Sequence, residues 1–261
     1  MAVRNRNTRV SSRLTRIAGN DAAGLRLVCL PYAGASTMVY RGWPARLPAG
    51  VDILGADPPG RAPAPAGRQT PGGLSEVAAV MAAEIAALPR LPTVLFGHSL
   101  GALLAYEVAV ELTLRGVPVE HLVVSGCAAP HRSEKSAPLS HLGQEEFFAA
   151  WNASMELAES IRDSQELRDL LYPMMRYDIW LYDTYVWWRR AGLTCPVTAF
   201  AGSVDGLTAD DAMNSWWDLT SGAFYSRLFA GDHFFLHSSE REVVEEVGDL
   251  LDGVRRRALP R

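Results

Sequence analysis

Four short apolar runs punctuate the first half of this 261-residue chain: LRLVCLP (25–31), VDILGAD (51–57), TVLFG (93–97) and EHLVVSG (120–126). Runs this short, rich in β-branched residues and apolar at nearly every position, suit strands covered on both faces, as in a parallel sheet with crossover helices. The helices are legible too. GLSEVAAVMAAEIAAL (73–88) has a helical pattern ended by Pro89. LGALLAYEVAVELTLRG (100–116) is stopped by Gly116, with Arg115 near its C-terminal end, where the helix dipole favours a cation. The pattern predicts an α/β fold: a mostly parallel sheet with flanking helices.

After Pro130 the alternation stops. Residues 130–190 hold no convincing strand and read as several aromatic-rich helices, split at Pro173. Strand character resumes with PVTAFAG (196–202) and FYSRLFAG (224–231), and residues 239–259 form a closing amphipathic helix. The division predicted is a core of 22–129 and 191–261 around a helical insertion, 130–190. Residues 1–21 precede it as a flexible, arginine-rich extension or an arm for an acidic partner; the first twenty carry five arginines and no acid.

A net charge of -4 gives no general pull toward nucleic acid or an anionic membrane, and no apolar run reaches the roughly 18 residues of a membrane span. The N-terminus lacks the apolar block of a secretory signal. Cys29, Cys127 and Cys195 are an odd, scattered set in apolar stretches, which fits reduced core cysteines in a cytoplasmic protein. With no Cys/His cluster, Walker loop or dinucleotide fingerprint, no metal or cofactor is expected. A monomer is expected.

Chemistry concentrates at FGHSLG (96–101), where an apolar run gives way to a helix. A serine on a sharp strand-to-helix turn adopts strained backbone angles, and its neighbours crowd unless they lack side chains; Gly97-x-Ser99-x-Gly101 fits that nucleophile elbow. Such a serine needs a base and an acid that orients the base, both at carboxyl ends of strands. Asp205 follows PVTAFAGSV and His233 follows FYSRLFAGD, in the order nucleophile, acid, histidine known from α/β hydrolases. His237 rivals His233, and Asp210 and Asp211 rival Asp205, although these two look more like a helix start in TADDAMNSWWDL. For an oxyanion hole, Leu100 offers one backbone N–H; in LPYAGAS (30–36), Gly34 lets the chain turn so that Ala33 presents the second.

LPYAGAS, PPGR (58–61), GHSLGA (97–102), LYPMMRYD (171–178), CPVTAFAGSVD (195–205) and GDHFFL (231–236) together resemble a type II thioesterase over about residues 22–255. These are the discrete editing enzymes of polyketide and non-ribosomal peptide synthase systems. The resemblance implies an α/β-hydrolase fold and a serine thioesterase that hydrolyses stalled or aberrant acyl groups from the phosphopantetheine arm of acyl or peptidyl carrier proteins. It implies Ser99 as nucleophile, His233 as base, Asp205 as its partner, Ala33 and Leu100 as oxyanion donors, and the insertion as a lid. Position 35 carries Ala where the family pattern has a second Gly, and Gly-Leu-Thr follows Asp205 where the pattern has Pro and a valine.

Within the insertion, Trp180, Tyr182, Tyr185, Trp187 and Trp188 lie within nine positions, too many for one helix face, so some are expected to face the acyl channel, with Trp180, Tyr185, Trp187 and Trp188 as its candidates, or else the cluster is a packed aromatic band. Arg41, Arg61, Arg189 and Arg190 are candidates for meeting an acidic carrier, or plain solvated charges. A general carboxylesterase or lipase, a cyclising thioesterase and a non-catalytic carrier-binding pseudo-hydrolase stay open as alternatives.

Overall fold

The computed structural model describes residues 8–9, 13–61, 72–132, 137–155, 158–189, 192–207 and 213–258. Its strands are β1 (Thr8–Arg9), β2 (Leu14–Ala18), β3 (Leu25–Leu30), β4 (Val51–Ala56), β5 (Thr93–His98), β6 (His121–Ser125), β7 (Val197–Gly202) and β8 (Phe224–Phe229). They form one sheet in the order β1-β2-β4-β3-β5-β6-β7-β8. From β4 to β8 every pairing is parallel. The predicted α/β architecture with a mostly parallel sheet is the one observed.

Burial explains why the central strands read as unbroken apolar runs. Every residue of β3, β4, β5, β6 and β7 is buried, because helices cover both faces. On one face pack α1 (Leu74–Ala86) and α2 (Leu100–Leu114). On the other lies the long C-terminal helix, Glu240–Ala258, which inserts Val243, Val244, Val247 and Leu251 beside Tyr40 and Trp43. β8, at the sheet's edge, is mostly exposed.

Within the segment expected to be a flexible extension, residues 8–9 and 14–18 are strands of the sheet. β2 pairs antiparallel with β4, and β1 pairs antiparallel with β2. Leu14 enters the core on one face of the sheet and Ile17 on the other. Arg16 Nε donates to Asp52 at 2.7 Å and Arg26 Nε to the other oxygen of that carboxylate at 3.1 Å, so a buried acid on β4 is neutralised partly from β2. With one apolar anchor per face and arginines between and around them, this strand has no apolar period to read.

Between β6 and β7 the described residues form helices: α3 (Gln144–Ser154), α4 (Glu159–Arg162) and α5 (Gln165–Thr184). α5 starts at Ser164, whose hydroxyl accepts from Leu167 N at 3.2 Å. Pro173 lies inside α5 and does not split it, contrary to the sequence expectation. A proline removes one backbone donor, but tertiary contacts hold α5 on both sides of it: before it the Tyr172 hydroxyl donates to Leu142 O at 2.7 Å, and after it Met175, Asp178, Ile179 and Leu181 are buried. After β8 come a short helix α6 (Phe235–Ser238) and then α7 (Glu240–Ala258).

Candidate active site

The turn from β5 into α2 answers the question posed by the glycine spacing. Ser99 has φ 54 and ψ −120, and among the described residues it is the only non-glycine with positive φ. A Cβ on Gly97 would lie 2.0 Å from the Gly101 carbonyl oxygen, and one on Gly101 2.3 Å from the Leu30 oxygen. Neither position admits a side chain. The strained serine is locked by Ser99 N donating to Ser125 O at 2.8 Å and by Ala102 N donating to Ser99 O at 2.9 Å.

β7 and β8 deliver the other two groups. Asp205 lies three residues beyond the end of β7, in a tight turn where its own N–H reaches Gly202 O at 3.2 Å. Ser203 N donates to Phe229 O at 2.8 Å and Val204 N to Gly231 O at 3.0 Å, which ties this turn to the loop after β8. His233 sits in that loop. Its Nδ1 lies 3.0 Å from Asp205 Oδ2, while Asp205 Oδ1 accepts from Leu207 N at 2.9 Å. Both side chains are nearly buried. A carboxylate only accepts, so the contact puts the proton on Nδ1 and leaves the lone pair on Nε2.

The rival histidine is engaged elsewhere: His237 Nε2 lies 2.9 Å from the Tyr32 hydroxyl. Asp210 and Asp211 fall outside the described residues. His98, inside the elbow, is fully buried with Nδ1 2.8 Å from Ser125 Oγ, and its ring centroid is 5.2 Å from that of His233. Burial first, and the neighbouring His233 second, hold the His98 imidazole well below the usual histidine range, so it is a neutral packing partner.

Ser99, Leu100, Ala33 and His233 line one cavity of about 1070 Å³. Leu100 opens α2, where a first-turn N–H has no intrahelical acceptor. Among the described residues neither the Ala33 nor the Leu100 amide donates to another backbone carbonyl. The rest of the cavity wall includes Trp151, Met155, Ile179, Tyr182 and Asp183 from the insertion, Trp217 from the segment before β8 and Phe224 at the start of β8.

The four aromatics assigned to the channel are not in that wall. Trp180 stacks on Tyr177, at 5.8 Å between ring centroids. Tyr185, past the end of α5, turns its hydroxyl to Glu107 of α2 at 2.6 Å, and Trp187 Nε1 reaches the Tyr106 hydroxyl at 3.5 Å. Tyr185 and Trp187 line a separate, smaller hollow of about 330 Å³, and Trp188 is mostly exposed. Helical phase accounts for the correction. Met175, Ile179 and Tyr182 recur at helical spacing on the inward face of α5, whereas the richest aromatic density lies at its C-terminal end and beyond.

Of the arginines considered for partner contact, Arg41 and Arg189 are exposed and Arg190 lies outside the described residues. Arg61 is not a surface charge: it forms a buried ion pair with Asp178 of α5, Nη2 to Oδ2 2.7 Å.

A thioesterase domain model matches residues 25–251. The gramicidin S biosynthesis protein GrsT of Aneurinibacillus migulanus is 30% identical over 228 residues, covering 87% of this chain and 88% of that one. Thioesterase PikA5 of Streptomyces venezuelae is 33% identical over 236 residues, covering 88% of this chain and 82% of its own. Among solved structures, the type II thioesterase BorB of the borrelidin cluster superposes with a TM-score of 0.83 at 28% identity, over 94% of this chain and 100% of that one. The chain belongs to the thioesterase family of the α/β-hydrolase superfamily, as a type II editing thioesterase of polyketide and non-ribosomal peptide biosynthesis.

Proposed function

We propose that this thioesterase releases stalled or aberrant acyl groups from the phosphopantetheine arm of acyl or peptidyl carrier proteins, with Ser99 as nucleophile, His233 as general base and Asp205 orienting it. The observation that carries the reading is a convergence. The strained serine, the imidazole whose proton is held on the far nitrogen by a carboxylate, and two residues whose amides, among the described residues, donate to no backbone carbonyl all border one cavity.

Ser99 Oγ attacks the thioester carbon while its proton passes to His233 Nε2, and the carbonyl electron pair moves onto oxygen. The Leu100 and Ala33 amides stabilise that oxyanion. Collapse expels the pantetheine thiolate, which takes the proton from His233. Water then attacks the acyl-serine ester, giving its proton to Nε2; Ser99 leaves with that proton and free acid is released. A thiol of pKa about 8.5 leaves with less help than an alcohol, so nucleophile and oxyanion hole carry more of the acceleration than protonation of the leaving group.

The cavity, about 1070 Å³, is slightly larger than the roughly 300–1,000 Å³ typical of small-molecule pockets, enough for an acyl chain and the tip of the arm. The insertion, residues 130–190, acts as its lid. The test is incubation with acyl-loaded carrier protein, followed by mass analysis of both products. Holo-carrier and free acid are expected; a lactone, or a carrier that keeps its acyl group, contradicts the reading.

A further inference from the structure

Two sequence motifs remain without a role in this chemistry, PPGR and LYPMMRYD, and the structure joins their last residues. Asp178 of α5 is completely buried. Its Oδ1 accepts from Arg61 Nε at 2.9 Å and its Oδ2 from Arg61 Nη2 at 2.7 Å, a two-pronged pair. Both partners also bind one short loop, residues 32–35. Gly34 N donates to Asp178 Oδ2 at 2.8 Å, Arg61 Nη1 donates to the Ala35 carbonyl, and Arg61 Nη2 lies 3.5 Å from the Tyr32 carbonyl.

Those contacts fix the peptide planes on either side of Ala33. In a trans peptide the C=O and N–H point in opposite directions. The Tyr32 carbonyl is held by Ala35 N at 3.1 Å and faces Arg61, so the Ala33 N–H in the same plane points away from them. In the next plane the Gly34 N–H is held by Asp178, which sets the direction of the Ala33 carbonyl. α5 also packs directly on the turn. Gly34 has φ +79, and a Cβ there would sit 2.8 Å from Met175 Cγ, one turn before Asp178. Tyr177 adds a hydrogen bond from its hydroxyl to Pro59 O at 2.9 Å, beside Arg61.

We propose that Asp178 and Arg61 are positioning residues for thioester hydrolysis, a clamp through which a seated α5 aims the Ala33 N–H into the reaction cavity. The insertion then does more than cover the acyl group, because the helix that roofs the cavity also sets one of the two oxyanion donors. Parts of the insertion that open for the arm must move without α5, or hydrolysis stops while α5 is displaced. The inference rests on the reading of Ala33 as an oxyanion donor.

The test compares the full-length wild type with Asp178→Asn and Arg61→Lys on acyl-N-acetylcysteamine thioesters, with active sites counted by fluorophosphonate labelling run to completion. Asp57 Oδ1 stays 3.8 Å from Arg61 Nη1, so the Asn variant leaves the guanidinium a counter-charge. The second readout is affinity for an alkyl trifluoromethyl ketone, whose carbonyl carbon bonds to Ser99 Oγ as the hydroxyl proton passes to His233 Nε2 and the carbonyl pair moves onto oxygen, placing an oxyanion in the hole. Both variants are expected to lower kcat about 10- to 100-fold, less than outright loss of a donor. KM should stay within about twofold, and ketone affinity should fall by the same factor as kcat.

Full kcat per active site in either variant, even with a lowered Tm, overturns the clamp, as does a rise in KM alone. If Asp178→Asn does not fold, Arg61→Lys decides by the same readouts. A wild type that neither labels nor hydrolyses overturns the underlying reading, and the clamp with it. An active wild type with fully active variants removes the clamp alone.

Discussion

His233 Nδ1 stands 3.0 Å from Asp205 Oδ2, a contact built across two loops from neighbouring parallel strands. It fixes the tautomer of the imidazole, with the proton on Nδ1 and the lone pair on Nε2. Asp205→Asn presents an amide that can donate to Nδ1 and favours the wrong tautomer; in a serine–histidine–aspartate enzyme that change lowers kcat by about 10⁴. The same order of loss is expected here, with KM little changed, in steady-state assays on a simple acyl thioester.

The elbow makes a stability prediction. Gly101→Ala forces a Cβ to within 2.3 Å of a backbone oxygen of β3, which no side-chain movement relieves. Overpacking of this kind costs about 1–3 kcal/mol. A lower Tm and a lower urea midpoint are expected, whereas Gly116→Ala, where added atoms meet nothing, should suffer only the strain of its φ of +69.

His121 supplies a pH dependence. Its Nε2 lies 2.7 Å from Thr198 Oγ1; burial first, and Arg257 second, push its pKa down from 6.5 to about 4. The folded state therefore holds it neutral while the unfolded chain takes up a proton, so stability falls as pH drops below 6.5 and stops falling on this account near pH 4. The slope is about 1.4 kcal/mol per pH unit for one such group. Urea melts of wild type and His121→Gln should converge as pH falls through this window if the variant starts less stable; parallel curves contradict the assignment.

The cavity wall yields a specificity prediction. Ile179 lines the same cavity as Ser99, so Ile179→Trp takes up space in it and should cut turnover of long acyl thioesters at least tenfold relative to acetyl, since an added aromatic ring displaces several methylenes. Trp180→Ala should leave the ratio of long- to short-chain rates unchanged. Rates across a graded set of straight-chain thioesters decide both.

What the sequence disclosed depended on how local the physics was. β5, the turn at Ser99 and α2 were legible because an apolar run, two obligatory glycines and a helical period are all properties of adjacent residues. Asp205 and His233 were reachable because each follows a recognisable strand. β2 was hidden, since its two buried apolar residues, Leu14 and Ile17, serve opposite faces and its stability draws on Asp52, more than thirty positions away. Trp180, Tyr185, Trp187 and Trp188 misled because aromatic density was read without helical phase. Arg61 looked like a solvated charge, and only the fold brings it to Asp178, 117 positions later.

The central claim is that one side chain is acylated. The most direct measurement is fluorophosphonate labelling of the wild type with peptide mapping, alongside acyl-carrier hydrolysis by Ser99→Ala. A single adduct on residue 99 and loss of turnover by at least about 10³-fold in the variant are expected. An adduct on another residue, or a variant that hydrolyses at the wild-type rate, contradicts the account.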